Sequence, residues 1–253
     1  MSERLRILLT NDDGYQADGI ATLYRVLARA HEVYLVAPNA EQSAASHSLT
    51  LNRPLRVQKI DERRYTTDGT PTDCVMLGVH LVFKDGKPDM IISGINHGAN
   101  MGDDVTYSGT VAAAIEGSIM RVPSVAVSMA HYEPGTPMVR AANFVARLVR
   151  IVGQMNLPPD VFLNVNLPLD TGRPYGAYEF TRQGFRQYKD VIIRKTDPRG
   201  KPYYWIGGRP KWRTEAGTDF EAVSRNVVSI TPLRLNFTDD RVLAELRTRQ
   251  FSM

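Results

Sequence analysis

Two adjacent carboxylates, Asp12 and Asp13, stand where the short aliphatic run Ile7-Leu8-Leu9 passes through Thr10-Asn11 into Gly14. Like charges that close repel each other, and at the end of a buried strand they also lose hydration, so the pair requires a cationic partner. Hard divalent cations prefer oxygen ligands of this kind. A helix N-cap is the alternative use of an Asp in such a place. One Asp serves for a cap, whereas two followed by Gly14 favour a metal.

Further residues could act beside them. Ser43, in the polar stretch Glu41–Ser48, could be an oxygen ligand or a nucleophile. No Gly-x-Ser-x-Gly elbow surrounds it, which argues against acyl transfer. His47 in the same stretch reads equally well as structural or catalytic. Asn96 lies in Ser93–Gly102, whose glycines permit positive φ and close backbone approach to a ligand. Such a segment can form an anion-binding nest; a plain flexible loop is the alternative. Ser108-Gly109-Thr110 opens an Ala-rich helix, where free N–H groups and the helix dipole attract phosphate and two hydroxyls add donors. A simple Ser/Thr N-cap explains the same residues. Taken together, hard-metal oxygens beside an anion cradle are the equipment of metal-assisted phosphate-ester hydrolysis. The chain has neither a G-x-x-x-x-G-K-[ST] loop nor a His pair at zinc spacing.

The elements that must position these residues alternate. Arg6–Leu9 reads as a strand, and Ile20, Leu23, Tyr24 and Leu27 recur at helical spacing. Val33–Ala37 is a second strand closed by Pro38, and Asn39–Ser48 a loop. Leu49–Ile60 and Tyr65–Thr67 read as strands around a turn. Thr70-Pro71-Thr72-Asp73 starts a helix with Cys74, Leu77, Gly78 and Leu81 on one face. Met90–Ser93 is a buried strand, Gly94–Gly109 a long glycine-rich loop, Val111–Met120 a helix and Val122–Val127 a strand. Val139–Val152 is an amphipathic helix and Val161–Val165 a strand. This alternation predicts an α/β fold with a mostly parallel sheet covered on both faces. Ligands bind such sheets beyond the C-terminal strand ends, where Asp12, Asp13, Ser43 and Asn96 all fall.

Beyond about residue 170 the pattern changes, which reads as a single domain over 1–253 with a core of about 1–170 and an appendage of about 171–253, not a separate domain. Val191–Thr196 and Tyr203–Ile206 flank the turn-forming Asp197-Pro198-Arg199-Gly200-Lys201 as a β-hairpin. Val227–Thr231 is one more strand, and Thr238-Asp239-Asp240 caps a last helix reaching about Thr248. The hairpin is too apolar for a solvated arm, and a lone two-stranded hairpin is marginal in water, so it needs a surface to pack on. That surface is a neighbouring subunit or the chain's own core.

The composition, 43% hydrophobic and 23% charged over 253 residues, supports a sizeable core. The single cysteine, Cys74, excludes an intramolecular disulfide and a cysteine metal cluster and reads as a core filler. The apolar run near the N-terminus is too short for a signal peptide, and no stretch approaches a transmembrane helix. A cytoplasmic protein with no membrane partner is expected. The net charge of +4 is mild and the arginines are scattered, so no stable nucleic-acid complex is expected. A non-catalytic nucleotide-binding or RNA-binding regulatory protein is the rival class; metal-dependent phosphate release separates the enzyme from it.

The segments RILLTNDDG, VAPNAEQSAASHSLTL, GTPTDCV, ISGINHGANMGDDVTYSGTVAAAIEG, FLNVNLP and SITPL resemble the survival protein E (SurE) family of stationary-phase 5′-nucleotidases. They run in the family's order from near the N-terminus to the last strand. The resemblance implies a three-layer Rossmann-like core and a divalent-metal phosphatase acting on nucleoside 5′-monophosphates, with 3′-nucleotides and polyphosphate as further candidate substrates. It assigns the metal, Mg²⁺ or Mn²⁺, to Asp12, Asp13, Ser43 and Asn96. It places phosphate against Asn96, Ser108, Gly109 and Thr110; catalytic work is expected of Asp12, orienting or deprotonating the attacking water, and of Asn96. It also implies a homodimer or homotetramer built through the C-terminal arm.

Overall fold

A computed structural model describes residues 4–187, 191–207, 211–213 and 215–249. The chain runs β1 (Arg6–Thr10), α1 (Asp18–Leu27), β2 (Glu32–Pro38), β3 (Val57–Lys59), β4 (Arg64–Thr67), α2 (Pro71–Leu77), β5 (Met90–His97), α3 (Gly109–Ile119), β6 (Ser124–Met129), α4 (Val139–Val152), β7 (Val161–Leu167), β8 (Tyr178–Phe180), β9 (Arg186–Gln187), β10 (Val191–Thr196), β11 (Pro202–Gly207), β12 (Lys211–Trp212), α5 (Asp219–Ser224), β13 (Val228–Arg234) and α6 (Asp240–Thr248). The main sheet has the order β3-β4-β2-β1-β5-β6-β7-β13-β8. From β4 to β7 its strands are parallel. The two ends are antiparallel, where β3 meets β4 and β13 meets β7.

Side chains alternate along β1, so Ile7 and Leu9 enter one core layer and Leu8 the other. The first layer is filled from α1 by Ile20, Leu23 and Leu27 and from α4 by Phe144, Val145 and Leu148. Opposite it, Cys74 and Val75 of α2 and Ala113 of α3 meet Leu8 and Ile91. The α/β sandwich expected from the alternation is the one formed, and Cys74 is a core residue. The chain leaves β1 toward β2 on one side and later fills the other side with β5. The C-terminal ends of β1 and β5 therefore flank the crevice where the strand order reverses, the place where open α/β sheets bind ligands.

Several boundaries differ from expectation. Of Leu49–Ile60 only Val57–Lys59 is strand, because two carboxylates take main-chain donors a longer strand would need. Thr50 N–H donates to Asp73 Oδ1 at 3.0 Å, and Arg56 N–H to Asp68 Oδ1 at 2.9 Å. The helix begins as expected, with a reciprocal cap between Thr70 and Asp73. It then widens into a π-helical turn over Gly78–Val82, which shifts its phase and leaves Leu81 exposed. The expected loop Gly94–Gly109 is shorter, since β5 continues to His97 after a register shift between Ser93 and Asn96. A 3-10 turn, Gly102–Thr106, follows it. β8 and β13, both past residue 170, complete the main sheet, whereas the hairpin β10–β11 and α6 stand outside it.

α1 crosses β5 so closely that a Cβ on Gly19 would lie 2.1 Å from the Ile95 carbonyl oxygen. Gly19→Ala should force the helix off the strand, at about 1–3 kcal/mol for overpacking of this kind. Thermal unfolding should show a clearly lower Tm; an unchanged Tm would mean that α1 shifts without cost.

Candidate active site

The turn after β1 is closed by Asn11, whose amide donates to the Gly14 carbonyl at 2.9 Å, and Gly14 takes a φ of +95°. Neither Asp12 nor Asp13 caps α1: the N-cap is Ala17, and Asp18 supplies the first-turn charge. Both aspartates are left facing a cleft of about 380 Å³, which Ser43, Asn96 and Ser108 also line. The sequence-predicted ligands Asp12, Asp13, Ser43 and Asn96 thus meet in one place.

Asp12 is buried beneath this cleft. Burial pushes its carboxyl upward, opposed by the Thr110 side chain and main-chain N–H, both of which bond to it. A Cβ on Gly109 would lie 2.9 Å from the Asp12 Cβ, so only glycine lets α3 come this near. The N-terminus of α3 therefore already holds an anion, and that anion is Asp12. Ser108 is the N-cap, its Oγ accepting from Val111 N–H at 3.1 Å. The Thr110 hydroxyl is committed to Asp12 rather than presented to the cleft, a placement that spacing alone did not reveal.

Asp13 is partly buried, and burial together with the charge on Asp12 pushes its carboxyl up to about 7. Glu41 lines the same cleft and its charge raises both aspartates further. Among the described residues no Lys or Arg lines the cleft. A site of this charge fits a cation, and its oxygens suit a hard one. Among the described residues no three His, Cys, Asp or Glu side chains are grouped to hold an ion, so a cation here would have to draw on other donors such as Ser43 and Asn96. The Asn96 amide nitrogen donates to the Gly98 carbonyl at 2.9 Å, leaving the side-chain oxygen as its available ligand atom. Ser43 Oγ donates to Glu41 Oε1, which keeps the hydroxyl lone pairs free.

The loop carrying Ser43 is anchored at several points. Gln42 N–H donates to the Asp12 carbonyl at 2.8 Å, Ser46 N–H to the Tyr107 carbonyl at 3.1 Å, and Ser46 Oγ to the Thr106 carbonyl at 2.8 Å. His47 Nε2 meets the buried Glu116 Oε2 of α3 at 2.9 Å, which resolves His47 as an anchor of the loop.

Sequence reasoning missed the floor of the cleft. Asn100 donates its main-chain N–H to Asn166 Oδ1 at 2.9 Å, and its carbonyl accepts from Asn164 Nδ2 at 2.8 Å and Asn166 Nδ2 at 2.9 Å. Asp219 is fully buried and accepts from Gly102 N–H at 2.9 Å and Gly184 N–H at 3.0 Å. The available signal was polar residues at inward positions of β7, in Asn164-Val165-Asn166. His97 was also passed over. Its N–H donates to Asp13 Oδ2 at 3.3 Å, its ring lies against Tyr132, and burial holds its imidazole below the usual value.

A family model described as Survival protein SurE matches residues 7–190. The 5′-nucleotidase SurE of Geobacter metallireducens is 49% identical over 249 residues, 98% of this chain and 98% of that protein. The 5′-nucleotidase SurE of Pelobacter propionicus is 50% identical over 236 residues, 93% of this chain and 95% of its own. Among solved structures, the Sure protein from Aquifex aeolicus superposes with a TM-score of 0.84 at 40% identity, covering 96% of this chain and 98% of that one.

Thr110→Val keeps the side-chain volume and removes the hydroxyl that steadies Asp12. The variant should bind Mn²⁺ about 10-fold more weakly, as loss of a ligand's hydrogen-bond partner does elsewhere, while Thr110→Ser stays near wild type. Isothermal titration with Mn²⁺ checks this; equal affinity in Thr110→Val would remove Thr110 from the site's support.

Proposed function

The chain belongs to the survival protein SurE family, and from that premise we propose that it hydrolyses nucleoside 5′-monophosphates to nucleoside and phosphate with a divalent cation. Curated relatives named 5′-nucleotidase SurE, alike over nearly their whole length, make it an enzyme of that class. The observation that carries the metal-dependent reading is the Asp12-Asp13 pair, one carboxylate buried and the other partly so, in a cleft that, among the described residues, no Lys or Arg lines.

Asp12, Asp13, Ser43 and Asn96 hold the cation, Mg²⁺ or Mn²⁺. The chemistry supplied there is neutralisation of phosphoryl oxygens and acidification of a water. Asp12, held by Thr110, orients the attacking water and accepts its proton. The water oxygen forms a bond to phosphorus as the bond to O5′ breaks, and the proton accepted by Asp12 is returned through a cleft water to the leaving alkoxide. Asn96 and the Ser108-Gly109 main chain at the start of α3 receive the phosphoryl group. Thr110 serves the site by holding Asp12 rather than by touching phosphate, since its hydroxyl is engaged there. Direct attack by water is favoured over a phosphoaspartate, because both carboxylates are needed as anionic ligands to the cation. The same cleft is open to 3′-nucleotides and polyphosphate.

The hairpin supports assembly into a homodimer or homotetramer. Ile192, Tyr204 and Trp205 are 66%, 58% and 61% exposed, so the chain's own core does not cover them. In the register, Ile193 faces Trp205 and Lys195 faces Tyr203, while Arg194 faces Tyr204. Both faces of the ribbon thus carry exposed apolar surface, as an arm that docks on a neighbouring subunit would. No helix among the described residues is long and apolar enough to cross a membrane, and a cytoplasmic location is proposed.

Phosphate release from a panel of phosphomonoesters tests the activity. Nucleoside 5′-monophosphates should be hydrolysed with Mn²⁺ or Mg²⁺, and EDTA should abolish release. Asp13→Asn should retain the fold and lose the activity, because one carboxylate fewer weakens a hard-cation site. Near-wild-type rates in this variant at low metal would overturn the ligand assignment.

Replacing Val191–Gly207 with a short Gly/Ser linker should lower the mass measured by light scattering. Mn²⁺ binding should survive, since the proposed ligands all precede the hairpin. An unchanged mass would refute the assembly function of the arm.

A further inference from the structure

One side chain in the cleft has surroundings that the proposed chemistry leaves unused. The His97 imidazole is stacked on Tyr132, with ring centroids 3.8 Å apart and planes 4° from parallel. Tyr132 lies in the loop after β6 and packs on the core layer under α1 and α4. The ring plane is thereby fixed by a residue that is itself fixed. α1 closes one edge, where a Cβ on Gly19 would lie 3.5 Å from His97 Nε2. That nitrogen is buried and has no hydrogen-bond partner among the described residues. The other edge faces the aspartates, with Nδ1 3.6 Å from Asp13 Oδ1. The main-chain N–H of the same residue donates to Asp13 Oδ2 at 3.3 Å.

His97 therefore addresses both oxygens of Asp13. An orphaned buried N–H is rarer than an under-used acceptor. The proton of the neutral ring thus belongs on Nδ1, beside a carboxylate, and not on Nε2, which meets none. At 3.6 Å the ring contact is longer than a hydrogen bond. A movement of the carboxylate by a few tenths of an ångström brings it within hydrogen-bond reach.

We propose that His97 is a positioning residue for Asp13, its ring locked by Tyr132, and that the two together set how tightly this chain holds its cation. The inference rests on the divalent-cation reading of the Asp12-Asp13 site. Hydrogen-bond partners of metal ligands tune affinity by roughly 10–100-fold, and His97 is such a partner to Asp13 through its main-chain N–H, with Nδ1 poised 3.6 Å from the other oxygen.

Full-length variants titrated with Mn²⁺, with free ion followed by electron paramagnetic resonance, test it. Tm and the kcat and KM for a nucleoside 5′-monophosphate are measured in parallel. His97→Phe keeps a flat ring on Tyr132 and removes the ring donor; its Kd for Mn²⁺ should rise about 10-fold. Its Tm should hold, and kcat should recover at saturating Mn²⁺ with KM for the nucleotide unchanged. His97→Asn returns an N–H near the place of Nδ1 and should restore the affinity. Tyr132→Phe should bind as wild type, and Tyr132→Leu, which lets the ring swing, should bind more weakly. A His97→Phe Kd equal to wild type, or a His97→Asn variant as weak as His97→Phe, overturns the proposal. Should His97→Phe fail to fold, Tyr132→Leu decides it, and wild-type affinity there overturns it. Wild-type protein that binds no Mn²⁺ overturns the cation reading itself, a result distinct from any variant difference.

Discussion

Two carboxylates on consecutive residues, one of them buried, are the constraint around which this fold is arranged. Burial raises both aspartates, the charge on Asp12 raises Asp13 and that of Glu41 raises both, so an apolar surround would protonate them. The chain offsets this with dipoles: the first residues of α3 reach Asp12, and the His97 main chain reaches Asp13. Among the described residues the cleft is lined by no Lys or Arg that would fill the place of a cation. A lysine there would satisfy the aspartates and disable the proposed site.

That arrangement explains why α3 begins where it does. A helix N-terminus beside a phosphate-binding cleft is expected to point its amides at the ligand. Here Thr110 spends its hydroxyl and amide on Asp12, and Ser108 spends its hydroxyl on the cap. The nearest helical turn is a support for Asp12, the proposed ligand, before it is a receptor for phosphate in the proposed chemistry. Gly109 makes this possible, because any side chain would strike Asp12.

The rest of the cleft depends on residues far along the chain. Asn164 and Asn166 of β7 and Asp219 of α5 hold the main chain from Asn100 to Gly102. Strands β13 and β8 close the sheet beyond β7. The segment past residue 170 thus does more than carry the arm. The hairpin and α6, by contrast, leave apolar side chains exposed and make no part of the cleft.

The alternation of Ile7, Leu8 and Leu9, the spacing of Ile20, Leu23 and Leu27, and the Thr70–Asp73 cap were legible because they are local. Each depends on residues within a turn or a strand, where period and hydrogen-bonding chemistry decide the outcome. Asp12, Asp13, Ser43 and Asn96 were legible as candidates for the same reason: they follow strands that a parallel sheet must align at one end. Whether the aspartates capped a helix was open in the sequence and was decided when α1 took Ala17 as its N-cap. The engagement of Thr110 with Asp12 spans 98 residues, and that of Asn166 with Asn100 spans 66. Such pairs are chosen by which strands become neighbours, a property of the whole sheet that no local period encodes. The same holds for His97, whose contacts with Tyr132 and Asp13 appear only once β5, β6 and β1 lie side by side.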